Sequence, residues 1–234
     1  MKLVKNALWI IIASFLAFSC ASDPAGDKAE VSDEVVVDST ATAGAADYAV
    51  DTEASKVTWV GTKPVGKHEG MFKITEGTVK VEGNKIVGGS YVIDVTSLTV
   101  TDEGADDETK AKLAGHLTSK DFFEIEKYPT AKFEITSVEP YTAAKTTEKV
   151  SEEDKKYVLT DPTHMVSGNL EMHGVTKNVK FPAKMSVADG KTTARAQFNI
   201  NRKDWGMSYG ADESLGDKFI RPTVHIGFEI AASK

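Results

Sequence analysis

Histidine is the residue type in this chain best suited to proton transfer or metal binding, and the spacing of its five copies defeats both. His68, His116, His164, His173 and His225 are scattered, with no HExxH pattern and no pair four residues apart. No helix face can therefore present two imidazoles to one zinc ion. The single cysteine, Cys20, stands far from all of them and completes no mixed ligand set. No serine occupies a GxSxG elbow, so no nucleophile is marked. The acids Asp102, Glu103, Asp106, Asp107 and Glu108 lack the D-x-[DN]-x-[DN]-G spacing of a calcium loop. They read instead as a solvated helix start, where carboxylates complement the macrodipole. Each histidine reads as a surface or hydrogen-bonding residue, and the chain is expected to use no metal, no cofactor and no catalytic group.

Cys20 has a chemistry of its own. Lys2 and Lys5 precede an apolar run from Ala7 to Phe18, and "LAFSC" places small Ser19 directly before the cysteine. The run is too short to span a bilayer comfortably and reads as an export signal over residues 1–19. Its end resembles the lipobox of bacterial lipoproteins, which implies that Cys20 is lipidated and becomes the mature N-terminus. One acyl chain at about 0.8 kcal/mol per methylene binds a membrane marginally, whereas the two or three of a lipoprotein hold it firmly. The expected location is the bacterial cell envelope, lipid-anchored, facing the periplasm or the cell surface.

Behind that anchor, residues 20–46 contain no aromatic residue, and "ASDPAGDKAEVSDEVVVDSTATAGAA" offers only Val35 to Val37 as an apolar cluster. Such a stretch buries too little to offset chain entropy, so it reads as a flexible acidic linker leading to a folded domain over 47–234. The formal charge of −7 leaves no basic stripe for nucleic acid.

From Tyr48 onward, short alternating segments recur between turns: "KVTWVG", "GMFKITEG", "TVKVEGNKIVGG" folded at Glu82 to Lys85, "SYVIDVTSLTV", "AKFEITSVEP", "KYVLT", "HMVSGNLEM", "NVKFPAKMSV", "TTARAQFNI" and "TVHIGFEIAA". In one of them Val179, Phe181, Ala183 and Met185 share a parity against Lys180, Pro182 and Lys184, which is a half-buried strand. Strands at this spacing build a sandwich or barrel. Asp106 to Leu117 breaks the pattern as a helix, and Ser119 is expected to cap a second helical turn in "KDFF". Residues 141–156 form a mixed-charge excursion.

The positions left for function are apolar. Trp59, Phe72, Phe122, Phe123, Phe133, Phe181, Phe198, Trp205 and Phe228, with Met172, fall mostly on strand-like segments. They compose either an ordinary packed core or the lining of a barrel around an apolar guest, and composition does not choose between these.

Three blocks carry a family resemblance: "KLAGHLTSKDFFEIEKYPTAKFEITSV" (112–138), "GNLEMHGVTKNVKFPAKM" (168–185) and "FNINRKDWGM" (198–207). In this order they resemble the signature blocks of the YceI-like family of periplasmic polyisoprenoid-binding proteins. The resemblance implies an all-β, extended, lipocalin-like antiparallel barrel with a short helical insertion between two strands. It also implies an amphiphilic isoprenoid or other long-chain lipid in the barrel as partner, bound for transport or storage. His116, His173 and Thr176 then stand at a barrel corner or at a rim that meets a lipid head group. Two other classes stay open at this point: an envelope enzyme acting on a lipid, and an adhesion or scaffolding lipoprotein with a solid barrel. Whether the chain forms a dimer is not specified.

Overall fold

A computed structural model describes residues 23–37, 42–142, 150, 152 and 154–234. The export signal and Cys20 lie outside the described residues. Among the described residues, ten strands and one α-helix follow in chain order: β1 Glu30–Asp33, β2 Ala46–Val50, β3 Lys56–Thr62, β4 Lys67–Glu82, β5 Lys85–Val100, α1 Asp107–Thr118, β6 Thr130–Pro140, β7 His164–Met172, β8 Val175–Ala188, β9 Lys191–Asn201 and β10 Thr223–Ser233. All pairings between strands are antiparallel.

The sheet closes into a barrel of eight lanes. β2 and β3 share one lane between β4 and β10: β3 pairs Lys67 to Lys73 of β4, and β2 takes over at Thr78 to Val81. Register shifts along the long β4–β5 hairpin bend it, as closure of so small a barrel demands. Apolar residues of β10 at Val224, Ile226, Phe228 and Ile230 alternate with outward Thr223, His225 and Glu229, the period-2 signature of a strand with one face inside.

One end of the barrel carries the β3–β4 turn, the α1 insertion, the β7–β8 turn and the long β9–β10 connection. We call it the upper end. The β7–β8 turn there is only two residues long: Met172 pairs Val175, and His173 and Gly174 both take positive φ, +52° and +73°. That is the primed geometry whose twist suits a hairpin. A side chain at Gly174 would meet the Tyr128 ring at 2.6 Å, so the position needs glycine for space as well as for φ. The corner thus ends at Gly174, and Thr176, expected at the corner or rim, is already a strand residue opposite Glu171.

α1 begins one residue after its expected start, with the Asp106 carboxylate accepting from Thr109 N. Ser119 serves two ends: its hydroxyl donates to His116 O at the close of α1 and accepts from Asp121 N, and its carbonyl accepts from Phe122 N and Glu124 N, so it caps the hydrogen-bonded turn of "KDFF" as expected. The strand expected in "KYVLT" is a 3-10 turn, Asp154–Tyr157, which buries Tyr157 on the outer face of the barrel against His225.

The flexible linker expected over 20–46 is corrected for much of its length. β8 pairs β9 only from Ala183 to Ala188, so the upper halves of these two strands diverge. Residues 27–33 fill the gap. Asp27 O accepts from Asn199 N, Ala29 N donates to Asn199 O, and β1 pairs Lys177 to Lys180 of β8. The Asn199 side chain donates to Pro24 O at 2.7 Å. A polar four-residue strand holds here because the two diverging edges offer backbone partners that would otherwise be unpaired.

Candidate functional site

Inside the barrel, five aromatic rings meet at mid-height. Phe181 and Phe198 stack in parallel, Phe228 stands edge-on to both, and Phe133 and Tyr91 complete the cluster with centroids 5.3 to 5.8 Å from their neighbours. The edge-to-face contacts of Phe228 with Phe181, Phe198 and Tyr91 are an arrangement that aromatic quadrupoles favour. Phe133 fits because Gly168 on the neighbouring strand has no side chain; a Cβ there would lie 2.3 Å from the ring. The cluster divides the interior. Above it opens a cavity of about 380 Å³; below it is a void of about 40 Å³. Phe228 lines both, and is the partition between them.

The barrel is therefore half filled and half hollow, so the core reading and the lining reading each describe part of it. Trp59, Phe72, Phe122, Phe123, Met172 and Phe228 line the upper cavity. Phe133 and Phe181 border only the lower void. Phe198 is sealed within the cluster, and Trp205 is fully buried at the upper corner, its indole N–H donating to Leu170 O.

The α1 insertion roofs one side of the cavity with Leu113, His116, Leu117, Phe122 and Phe123, while Ile93 and Val95 of β5 form its wall. The β9–β10 connection meets this roof, Tyr209 packing on His116 and Phe122, and contributes Met207, Tyr209 and Ile220 to the lining. Sequence reasoning missed this connection as part of the site. Its signal was present: Gly206, Gly210 and Gly216 announce a loop, yet Met207, Tyr209, Leu215, Phe219 and Ile220 make it more apolar than a solvated loop needs to be.

Arg202 fastens that connection. It is buried, and its guanidinium donates to the carbonyls of Met207, Tyr209, Ile220 and Arg221, with the Phe122 ring 5.6 Å from its centre. No carboxylate faces it among the described residues, and burial lowers its pKa to about 10. A planar donor fork reaching four carbonyls from one point is a use of arginine that lysine cannot copy.

Two buried donors at the cavity, Trp59 Nε1–H and the Thr62 hydroxyl, have no hydrogen-bond partner among the described residues. Of the corner histidines, His116 lines the cavity, its ring edge-on to Phe122 and Tyr209 and its Nε2 3.3 Å from Asp121. His173 does not. Its Nδ1–H donates to Trp205 O and its ring rests on Tyr128, so it ties the β7–β8 turn to the residues after β9. Thr176 is likewise absent from the lining. His68 at the upper end pairs with Asp102 at 2.6 Å. No group of three His, Cys, Asp or Glu among the described residues lies close enough to hold a metal ion.

The chain is similar to UPF0312 proteins of Pseudomonas putida, 29% identical over 176 residues covering 70% of this chain and 77% of the relative, and of Pseudomonas fluorescens, 29% over 203 residues covering 81% and 89%. Among solved structures, its fold resembles BcnA of Burkholderia cenocepacia, with TM-score 0.58, 22% identity and coverage of 79% of this chain and 99% of the other. It also resembles a polyisoprenoid binding domain from Saccharophagus degradans, with TM-score 0.53, 18% identity and coverage of 80% and 97%. The model of the YceI-like domain matches residues 48–232, the whole barrel apart from its N-terminal wedge, and the chain belongs to the YceI-like family.

Proposed function

We propose that this protein binds an amphiphilic isoprenoid or other long-chain lipid in the upper cavity, and that it carries or stores that lipid in the bacterial cell envelope while tethered through lipidated Cys20. The observation that carries the reading is the apolar cavity of about 380 Å³ above the aromatic partition. Membership of the YceI-like family, and a fold shared with a domain described as polyisoprenoid-binding, support it. The lipobox-like "LAFSC" supports the tether.

Size limits what enters. An apolar cavity of about 150 Å³ admits benzene, so 380 Å³ on that scale holds about fifteen carbons, or three isoprene units. At about 0.8 kcal/mol per carbon group the gross gain is about 12 kcal/mol. Ordering and immobilising the chain offset a large part of it. The partition at Phe228 ends the tail, and any further length stays outside.

Native mass spectrometry of the purified chain, followed by organic extraction, tests this reading. The expected result is a stoichiometric single-chain lipid released on extraction. Recovery of no lipid, from the native host and from a foreign one alike, overturns it.

A further inference from the structure

We propose that the upper end of the barrel docks on a phospholipid bilayer, so that the cavity opens onto the membrane surface from which its ligand comes. This inference rests on the lipid-binding reading for its purpose, and on separate observations for its geometry.

The first observation is where the described chain begins. Arg221 lines the cavity at its upper end, its backbone N–H donating to Thr62 O at the end of β3, and the Asp23 carboxylate lies 3.8 Å from its guanidinium. The next residues are seated in the barrel seam through Pro24, Asp27 and Ala29 on Asn199. The tether therefore leaves the barrel beside the cavity opening. Cys20 is three residues before Asp23. At roughly 3.3 to 3.6 Å per extended residue, its Cα stands within about 11 Å of that of Asp23. So short a leash cannot bring the opposite end of the barrel to the membrane while the seam stays closed.

The second observation is independent of the tether. Five large hydrophobic side chains among the described residues are exposed, and three of them sit on upper-end connections: Val65 at 74% in the β3–β4 turn, with Tyr209 and Leu215 at 45% each in the β9–β10 connection. These two connections also supply the cavity's solvent-facing members, Lys63, Asp217 and Lys218. Apolar tips around an opening lined by apolar residues are suited to enter the headgroup boundary of a bilayer. Charge adds little, because the exposed or half-exposed cations Lys63, Lys203, Lys218 and Arg221 share these connections with Asp204, Asp212, Glu213 and Asp217, and Arg202 is buried. Docking is expected to depend on apolar contact and on the tether, and to respond weakly to salt.

The test uses the full chain in a Cys20→Ser background, where residues 1–22 remain as tether and single cysteines can be labelled. Val65→Cys, Leu215→Cys and Asn84→Cys each carry an environment-sensitive dye, Asn84 standing in the β4–β5 turn at the opposite end. The proteins are bound to phosphatidylcholine vesicles containing nitroxide lipids. Loss of fluorescence at 65 and 215, with none at 84, is the expected result. Equal quenching at all three, or quenching at 84 alone, overturns the proposal.

A second arm compares the native full chain with its Val65→Asp/Leu215→Asp variant, taking up a fluorescent fatty acid either from vesicles or from cyclodextrin. Uptake from vesicles is expected to slow while uptake from cyclodextrin is unchanged; equal rates from vesicles overturn the proposal. If neither protein takes up the probe from cyclodextrin, the lipid-binding reading falls, and the dye positions still decide the docking.

Discussion

Phe181 and Phe198 stack face to face on neighbouring strands inside the barrel, with ring centroids 4.0 Å apart and planes 8° from parallel. They come from β8 and β9, the two strands that separate just above this level, so the stack bridges the seam from inside where backbone pairing stops. Phe198 is fully buried. Phe198→Ala should cost about 3 to 5 kcal/mol, the transfer term plus the hole left under the cluster. Urea unfolding followed by tryptophan fluorescence measures this; a loss under about 1 kcal/mol would mean that the cluster is not what holds the seam.

Phe228 has a different task, because it separates the cavity from the void below. In the native protein, affinity for a series of alkanols should rise with chain length and level off near about fifteen carbons, the capacity inferred from the cavity volume. Phe228→Ala should carry the rise to longer chains. Competition against a fluorescent fatty acid reads the plateau, and an unmoved plateau would remove Phe228 from the role of stop.

Trp59 lines the cavity with its ring, while its unpartnered indole N–H is enclosed by neighbouring residues. Trp59→Phe keeps an aromatic ring there and removes the donor. Affinities for an alkanol and for an alkane of the same length should change by the same factor, because the donor is closed off from the cavity. A loss of about fivefold confined to the alkanol, the usual net worth of one hydrogen bond, would show that the N–H reaches the ligand.

His225 faces outward from β10, buried beneath the N-terminal wedge and Tyr157 and bonded to the side chains of Asn199 and Gln197. Asn199 commits its amide N–H to Pro24 O, so His225 Nδ1–H is the donor to Asn199 Oδ1, and Nε2 of the neutral ring accepts from the Gln197 side chain with that amide turned so its N–H faces the ring. Burial lowers the ring's pKa to about 4. Above pH 6.5 the ring is neutral folded or unfolded, and contributes no pH dependence. Between 6.5 and 4 the unfolded ring takes up a proton first, so stability falls with falling pH; below 4 the loss is constant at roughly 3 kcal/mol. His225→Gln should be less stable than the native protein at pH 7, and that gap should shrink as pH drops from 6.5 to 4. Parallel stability curves would contradict the assignment.

Much of this architecture was legible in the sequence because one-sided strands leave a period-2 trace, and Lys85 to Val100 or Val175 to Ala188 display it over long stretches. α1 was legible through its acidic start, and the corner at Gly174 through its glycine. The hollow was not legible. Trp59 and Phe198 are both inward rings on strands, and what separates a lining residue from a sealed one is whether rings from β5, β6, β8, β9 and β10 converge at its level, which no local pattern records. Arg202 looked like one charge among many, because its four carbonyl partners lie five to nineteen residues away. The wedge was misread for a related reason. "EVSD" has no apolar periodicity of its own, and its strand is imposed by Lys177 to Lys180, almost a hundred and fifty residues downstream.

The wedge also decides where this protein can be cut. Expression begun at residue 48, where the family match starts, would yield every barrel lane but leave the facing edges of β8 and β9 bare along their upper halves. Two such bare edges invite a neighbouring molecule to pair with them. A shortened protein of this kind would come off a sizing column as dimers and larger species, and an observer would credit the natural chain with an assembly that the scissors had made.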